Sequence, residues 1–221
     1  MLAVVNTPGG AAPVELGEVP EPQPAANEAL VEVRAFSLNR GELRLFQTRP
    51  EGWRPGQDIG GVGHMAVQFA ARSGARVTAV VGGPERGRHL RGADEIVEGI
   101  DKVQGRFALI LESAGGSSLA AAIARIEAKG TIVIFGNSSG DPTPFSFRNL
   151  AEHPNARIQG FSYFTSEAED RFAPDLALLA GLVADGSLKP HLVEHSWREL
   201  ARIGPLLRDR QIRGKAVFHI D

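Results

Sequence analysis

The feature that most constrains the fold is a glycine-rich turn at residues 61–66, which opens directly into an apolar helical pattern. The run Gly61-Val62-Gly63-His64-Met65-Ala66 fits the pattern G-x-G-x-x-A. Glycines in such a turn let the backbone approach a pyrophosphate, and the helix that follows supplies free N–H groups for it. Because 26 of the 221 residues are glycine, chance matches are easy. The helix and strand that follow at once favour a dinucleotide-binding unit here.

Short apolar runs alternate with helical patterns through the rest of the chain, which predicts an α/β fold with a Rossmann-like, mainly parallel sheet. The predicted strands cover 76–81, 95–98, 107–111, 131–135, 157–161 and 215–220, and the predicted helices cover 62–72, 119–128, 173–184 and 197–207. The residues before the glycine turn, 53–59, include Pro55 and Gly56, which makes them a poor strand. The sheet is therefore expected to lack its usual first strand.

The N-terminal part of the chain differs from the rest in its sequence pattern, which is rich in proline and in short β-type runs. Residues 19–24 are rich in proline, and residues 31–36 alternate apolar and polar side chains as a half-buried strand does. We therefore expect a β-rich lobe from residues 1–58, completed by residues 187–221, beside a dinucleotide-binding domain at residues 59–186.

Composition excludes several classes of protein. A formal charge of −2 argues against a nucleic-acid binder, and the lack of cysteine excludes disulfides, Cys-ligated zinc and a cysteine nucleophile. No apolar run reaches the ~20 residues that cross a bilayer, and the N-terminus lacks signal-peptide features. A cytoplasmic protein without a membrane or nucleic-acid partner is the expectation.

Four blocks of sequence resemble the medium-chain dehydrogenases/reductases, specifically their zinc-independent, quinone-oxidoreductase-like branch. The blocks are Leu2–Val5 through Leu16–Pro22 to Leu30–Arg40, Gly60–Ala70, Leu111–Gly116 with Gly130–Gly136, and Gly214–Val217. The resemblance implies a GroES-like β lobe, a Rossmann domain and reduction of a quinone, enone or carbonyl compound by hydride transfer from a nicotinamide cofactor.

The resemblance also implies a large internal deletion. In the family, the segment matching Pro55-Gly56-Gln57-Asp58-Ile59-Gly60-Gly61 continues into more of the catalytic domain before the first Rossmann strand. Here the chain passes directly into Gly-Val-Gly. On the order of a hundred residues are missing by comparison, about the size of a small domain. They include most of the catalytic barrel and the strand at the topological switch point.

The end of the second Rossmann strand indicates which nicotinamide cofactor is used. An NAD-preferring site has an acid there for the ribose 2′-hydroxyl. Residues 82–88 instead place Arg86 and Arg88 just beyond the strand. A guanidinium group can bind a 2′-phosphate with two hydrogen bonds, so the sequence predicts NADP(H), with a solvated basic loop as the alternative.

Other candidate site residues come from the resemblance. Ser113, Gly136 and Asn137 lie where the family holds the nicotinamide and its ribose, although plain turns would also use them. Asn39 corresponds to an asparagine near the family's active site. Tyr163, the only tyrosine, is a candidate proton donor, with a packing role as the alternative.

Two functions stay open. The first is the NADP(H)-dependent reductase, with Gly61, Val62 and Gly63 at the cofactor. The second is a shortened family member without redox activity, recruited as a binding protein or as a non-redox enzyme such as a cyclase. No metal site is expected, since the His191/His195 spacing alone is non-specific. The segment 156–162 resembles the edge strand through which family members pair, so we expect a homodimer.

Overall fold

The computed structural model describes residues 1–7, 14–26, 28–39, 42–43, 62–162, 171–209 and 211–221. They form two compact units, Met1–Phe69 with Lys189–Asp221, and Ala70–Leu188. We call these the β unit and the nucleotide-fold unit. The expected domain boundaries near residues 58 and 186 stay predictions.

The β unit is built from two small sheets. Strands β1 (Leu2–Asn6) and β2 (Val14–Glu18) pair antiparallel, with Val4 opposite Leu16. A second sheet has the order β3-β10-β9. Strand β10 (Lys215–His219) runs antiparallel to β3 (Ala35–Ser37) and parallel to β9 (Leu192–Ser196).

The core of the β unit forms where these strands meet the C-terminal helix. A 3-10 turn at Trp197–Glu199 leads into helix α6 (Leu200–Arg208). The buried apolar side chains are Val14, Leu38, Leu43, Trp197, Leu200, Ile203, Leu207, Ala216 and Phe218. The rings of Phe36 and Phe218 stack with centroids 5.4 Å apart. This core fixes the end of β3 against the start of β10.

The glycine turn leads into helix α1 (Val62–Arg72), as predicted, and Gly74 follows it in the left-handed conformation with φ +77°. The side chain of Gln68, within this helix, is buried and forms two hydrogen bonds with the backbone of Lys189. Its Oε1 accepts from the Lys189 N–H at 2.9 Å, and its Nε2 donates to the Lys189 carbonyl at 3.1 Å. Both residues belong to the β unit.

The nucleotide-fold unit alternates strands and helices. Its elements are β4 (Thr78–Val81), α2 (Pro84–Gly87), β5 (Glu95–Glu98), β6 (Phe107–Glu112), α3 (Gly116–Ile123), β7 (Ile126–Ile134), α4 (Phe147–Ala151), β8 (Arg157–Gly160) and α5 (Phe172–Ala184), with a 3-10 turn at Ile100–Lys102. Leu119, Ala122, Ile123, Ile126 and Ile132 form its buried cluster. The expected α/β class with parallel pairing is confirmed.

The parallel strands of this unit form two separate sheets. One has the order β4-β5 and the other β6-β7-β8. A complete Rossmann sheet has the strand order 3-2-1-4-5-6. Without strand 1, that order separates into 3-2 and 4-5-6, which are the two sheets observed. Within the described residues, no strand joins the free edges of β4 and β6, in agreement with the expected loss of the first strand. The segment 53–59 lies outside the described residues.

Two sequence predictions about single elements are wrong. The predicted strand 31–36 is replaced by the shorter β3, and Val31 is 72% exposed rather than half-buried. The reason is that β10 ends at His219 opposite Ala35, so earlier residues extend past their partner strand. The predicted helix 119–128 ends at Ile123, because the chain turns and Ile126 pairs with Phe107 in the sheet.

Helix α5 is apolar and carries no buried residue, with Leu176 67% exposed. Strand β6 likewise exposes Leu109 and Leu111. No helix of the described part has both the length and the apolar character that a membrane crossing requires.

Candidate functional site

The loops that follow β6 and β7 are joined along their length at the carboxyl ends of two parallel strands. The N–H of Phe135 donates to the Glu112 carbonyl at 2.9 Å, and the N–H of Ser138 donates to the Ser113 carbonyl at 3.0 Å. The Ser139 N–H donates to the Ala114 carbonyl at 2.8 Å. Ligands of doubly wound sheets bind in the crevice outside such strand ends. We call residues 113–116 and 135–140 the paired loops.

The paired loops bring three of the predicted site residues together. A Cβ on Gly136 would lie 3.0 Å from the Ser113 carbonyl oxygen, a tighter contact than most Cβ atoms make, so the two loops approach each other closely here. Gly115 has φ +74°, and a side chain there would collide with the Asn137 amide oxygen. That oxygen also accepts from the Gly140 N–H at 3.3 Å. Ser113, Gly136 and Asn137 therefore lie together in one closely packed local structure.

Glu112 organises this structure and was not predicted from the sequence. The residue is buried, with 5% of its surface exposed. It accepts from the N–H of Ala114 at 3.0 Å, the N–H of Gly115 at 2.8 Å and the Ser118 hydroxyl at 2.9 Å. A carboxylate with several donors is a strong acceptor, so Glu112 holds the turn that begins α3. The sequence signal was an acid that ends an apolar strand just before Ser-Ala-Gly-Gly.

Arg86 lies on the short helix α2, just after β4, and Arg88 caps the end of that helix; both residues are exposed. The Arg88 guanidinium forms an ion pair with Glu85 at 2.6 Å. An exposed ion pair contributes little stability, at most about 1 kcal/mol, so a phosphate could compete for this arginine. Two guanidinium groups at a strand end form a donor set that suits a phosphate monoester.

The glycine turn itself is only partly described. Val62 and Gly63 are the first described residues of α1 and both are exposed. Among the described residues outside its own helix and its chain neighbours, no atom lies within 4 Å of where a Cβ on Gly63 would be, so this part of the backbone is not covered by them. Gly61 lies outside the described residues. The open backbone at the start of an 11-residue helix fits the expected pyrophosphate contact.

Asn39 lies in the β unit, just after β3, beside two charged side chains. The Lys215 ammonium donates to the Asn39 amide oxygen, and the Asn39 N–H donates to the Glu42 carboxylate. Burial lowers the pKa of Lys215 from its ordinary value of 10.5, and the Glu42 carboxylate opposes that shift. Neither Lys215 nor Glu42 was predicted as a site residue. Tyr163 lies outside the described residues.

The described residues do not fit a metal site. Nowhere in this part of the chain do three or more His, Cys, Asp or Glu side chains come together as a metal-ion cluster. His195 lies 4.0 Å from Glu199, and the ring of His191 lies against that of His64 with centroids 5.8 Å apart. Zinc independence stays a prediction.

Parts of the chain are similar in sequence to known dehydrogenases. A family model described as zinc-binding dehydrogenase matches residues 61–181. The alcohol dehydrogenase notN of Aspergillus sp. (strain MF297-2) is 44% identical over 66 residues, which make up 29% of this chain and 19% of that protein. The chain thus spans about a fifth of the length of this curated relative.

The fold is shared with solved structures that include two quinone oxidoreductases. A mycobacterial quinone oxidoreductase matches with a TM-score of 0.83 at 15% identity, covering 99% of both chains. The Escherichia coli quinone oxidoreductase complexed with NADPH matches with a TM-score of 0.61 at 21% identity, covering 72% of this chain and 54% of that one.

Proposed function

Because this chain belongs to the zinc-binding dehydrogenase family and has the medium-chain dehydrogenase/reductase fold, we propose that it is an NADP(H)-dependent oxidoreductase. In the proposed reaction a quinone, enone or other carbonyl compound is reduced by hydride transfer. The observation that carries the proposal is the pair of exposed arginines after β4, where an NAD-preferring site has an acid. The NADPH bound by the E. coli structure supports this choice of cofactor.

The residues around the cofactor have distinct proposed roles. Arg86 and Arg88 bind the 2′-phosphate. The pyrophosphate contact at Gly61, Val62 and Gly63 stays an expectation from the sequence. The paired loops orient the nicotinamide end through Ser113, Gly136 and Asn137. When bound, NADPH supplies the hydride. The protein's task is then to orient the reacting atoms and exclude water.

The arginine assignment has a direct binding test. Replacing Arg86 and Arg88 with Ala should weaken NADPH binding by at least about a hundredfold, since the two charged hydrogen bonds contribute ~1.5–3 kcal/mol each, while NADH binding changes little. Fluorescence titration of each nucleotide measures this.

The matched control removes two other exposed arginines of the same unit, Arg148→Ala with Arg171→Ala. Each of these arginines also pairs with a carboxylate four residues on. The control should bind both nucleotides as the unaltered chain does. Equal losses of NADPH and NADH affinity in the Arg86/Arg88 variant would remove the phosphate assignment.

A second candidate function is supported by the divided sheet. The two sheets separate where the first Rossmann strand belongs, and the chain spans 54% of the E. coli enzyme. Such a chain could bind a nucleotide or another small molecule without redox chemistry, as a binding protein or a non-redox enzyme. Tight NADPH binding without consumption of NADPH by any quinone, enone or carbonyl compound would favour this second function.

We also propose that two copies pair through the strand β8. Its four residues are all exposed, and its described partner is β7 on one side alone. An unpaired edge strand is a template for a second strand. Pairing across a two-fold axis would place two β8 strands side by side.

A further inference from the structure

The two oxygens of the Glu112 carboxylate contact different parts of the segment that follows β6. Oε1 accepts from the Ala114 N–H at 3.0 Å and from the Ser118 hydroxyl at 2.9 Å. Oε2 accepts from the Gly115 N–H at 2.8 Å. Because Ser118 lies in the first turn of α3, the carboxylate connects the end of the strand with both the loop and the helix.

The peptide group between Ala114 and Gly115 is bound at both ends. Its N–H donates to Glu112 at 2.8 Å, and its carbonyl accepts from the Ser139 N–H at 2.8 Å. A side chain on Gly115 would collide with the Asn137 amide, so the backbone of Gly115 lies directly against that side chain. Since a peptide group is planar and stiff, its position links Glu112 to Asn137 and Ser139 in the second paired loop.

The arrangement of donors requires a carboxylate at position 112. An ionised carboxylate accepts hydrogen bonds at both oxygens, whereas an amide has one oxygen and an NH₂ group that only donates. Each oxygen of Glu112 accepts from a backbone N–H, of Ala114 or of Gly115. Whichever way a glutamine amide faced, its NH₂ group would meet one of these N–H groups. The loop would then have to move, because a buried donor without an acceptor is costly.

We propose that Glu112 is a positioning residue, which fixes the paired loops at the nicotinamide end of the cofactor. It acts through the Ala114–Gly115 peptide group on Asn137 and Ser139 and takes no part in the hydride transfer itself. The proposal rests on the proposed reductase function, in which the paired loops orient the nicotinamide. A misplacement of about 1 Å at a reacting centre can lower a rate on the order of a hundredfold, so the position of these loops matters.

The proposal distinguishes the two ends of the cofactor. The paired loops follow strands β6 and β7 of the three-stranded sheet, whereas Arg86 and Arg88 follow β4, which belongs to the other sheet. The hydrogen-bond partners of Glu112 lie within residues 114–118. Loss of the carboxylate should therefore disturb the nicotinamide end and leave the proposed 2′-phosphate contacts unchanged.

The test compares two ligands in the Glu112→Gln variant. Adenosine 2′,5′-bisphosphate carries the 2′-phosphate without a nicotinamide, so its Kd measures the arginine end alone. The Kd of NADPH should rise about tenfold, while the Kd of adenosine 2′,5′-bisphosphate should change less than about twofold. The change in fluorescence of the reduced nicotinamide on binding should be lost, and kcat should fall about tenfold to a hundredfold.

Further variants separate positioning from a general loss of stability. Glu127→Gln is the matched control, since Glu127 is an exposed glutamate near the start of β7 in the same sheet, and it should leave both Kd values unchanged. Glu112→Asp retains two acceptor oxygens and should restore part of the nicotinamide fluorescence change and of kcat. Ser118→Ala leaves both N–H bonds to Glu112 in place and should change the Kd of NADPH less than about twofold.

The possible outcomes keep this proposal apart from the reductase proposal. An equal rise of both Kd values in Glu112→Gln would overturn the positioning role, because the carboxylate would then support the unit as a whole. A Kd of NADPH as in the Glu127 control would overturn it as well. If the two Kd values separate as expected but the unaltered chain reduces no acceptor, the reductase proposal fails while the positioning role holds. If the unaltered chain binds neither ligand, both proposals are wrong.

Discussion

At the scale of single residues, the paired loops depend on side chains whose role comes from burial. Glu112 ends β6 with a carboxylate that accepts from Ala114, Gly115 and Ser118. The sequence shows an acid at this position but cannot show that it is buried. Ser113, Gly136 and Asn137 could be named beforehand because the ends of parallel strands lie at one edge of a sheet.

Glu112→Ala leaves two backbone N–H donors without their acceptor. The substitution should lower the free energy of unfolding by about 1–3 kcal/mol for each N–H group that is left without an acceptor. Urea denaturation measures the change. Glu98→Ala is the matched control, since Glu98 also ends a strand but is exposed, and it should cost far less. Equal losses would show that the carboxylate does not hold the turn.

Substitution of Gly115 and of Gly105 by alanine distinguishes steric collision from backbone strain. Gly115→Ala should destabilise the chain more than Gly105→Ala, although both glycines have positive φ. The reason is that a Cβ at Gly115 meets Asn137, whereas a Cβ at Gly105 meets nothing within 4 Å. Thermal unfolding of both variants gives the difference. A larger loss at Gly105 would contradict the close approach of the paired loops.

The contact between Lys215 and Asn39 could not be predicted from the sequence. Asn39 could be singled out through the resemblance, and Gly214-Lys215 was part of the same resemblance. Their contact could not be foreseen, because pairing of β10 with β3 brings together segments from opposite ends of the chain.

At the scale of elements, periodicity predicted most helices and strands, and it failed where an apolar run covers two elements. Residues 119–128 contain the end of α3, a tight turn and the start of β7, because the Arg125 N–H bonds back to the Ala122 carbonyl. Helix and strand are both apolar there, so no change of pattern marks the turn. The helix α1 was predictable because glycines bound it at both ends.

The attachment of α1 depends on Gln68, which is 7% exposed. Gln68→Leu should lower the free energy of unfolding by about 1–3 kcal/mol, since the Lys189 N–H and carbonyl lose their partner. Gln104→Leu, at an exposed glutamine, should change stability by much less. Urea denaturation of both variants measures this. A neutral Gln68→Leu would show that α1 is held by other contacts.

At the scale of the whole molecule, the strand count explains the divided sheet. The order 3-2-1-4-5-6 without its first member gives β5-β4 and β6-β7-β8. This result could be predicted because residues 53–59 read poorly as a strand. The exposure of α5 and of Leu109 on β6 could not, since burial depends on which elements are available to cover them.

If two copies pair through β8, a substitution in this strand should change the oligomeric state of the protein. The unaltered chain should sediment as a dimer, and Ile158→Lys should shift it toward the monomer, because lysine on an edge strand opposes edge-to-edge pairing. Val183→Lys, at an exposed apolar position on α5, is the control and should leave the dimer intact. A monomer in the unaltered chain would refute the pairing.

The central claim is that the chain reduces a quinone, enone or carbonyl compound with NADPH. The most direct measurement is the loss of absorbance at 340 nm when NADPH is mixed with the protein and a panel of such acceptors. The account predicts loss of absorbance with at least one acceptor, faster with NADPH than with NADH, and slower in the Arg86/Arg88 double alanine variant. No NADPH consumption with any acceptor would contradict it, whether or not the chain binds NADPH.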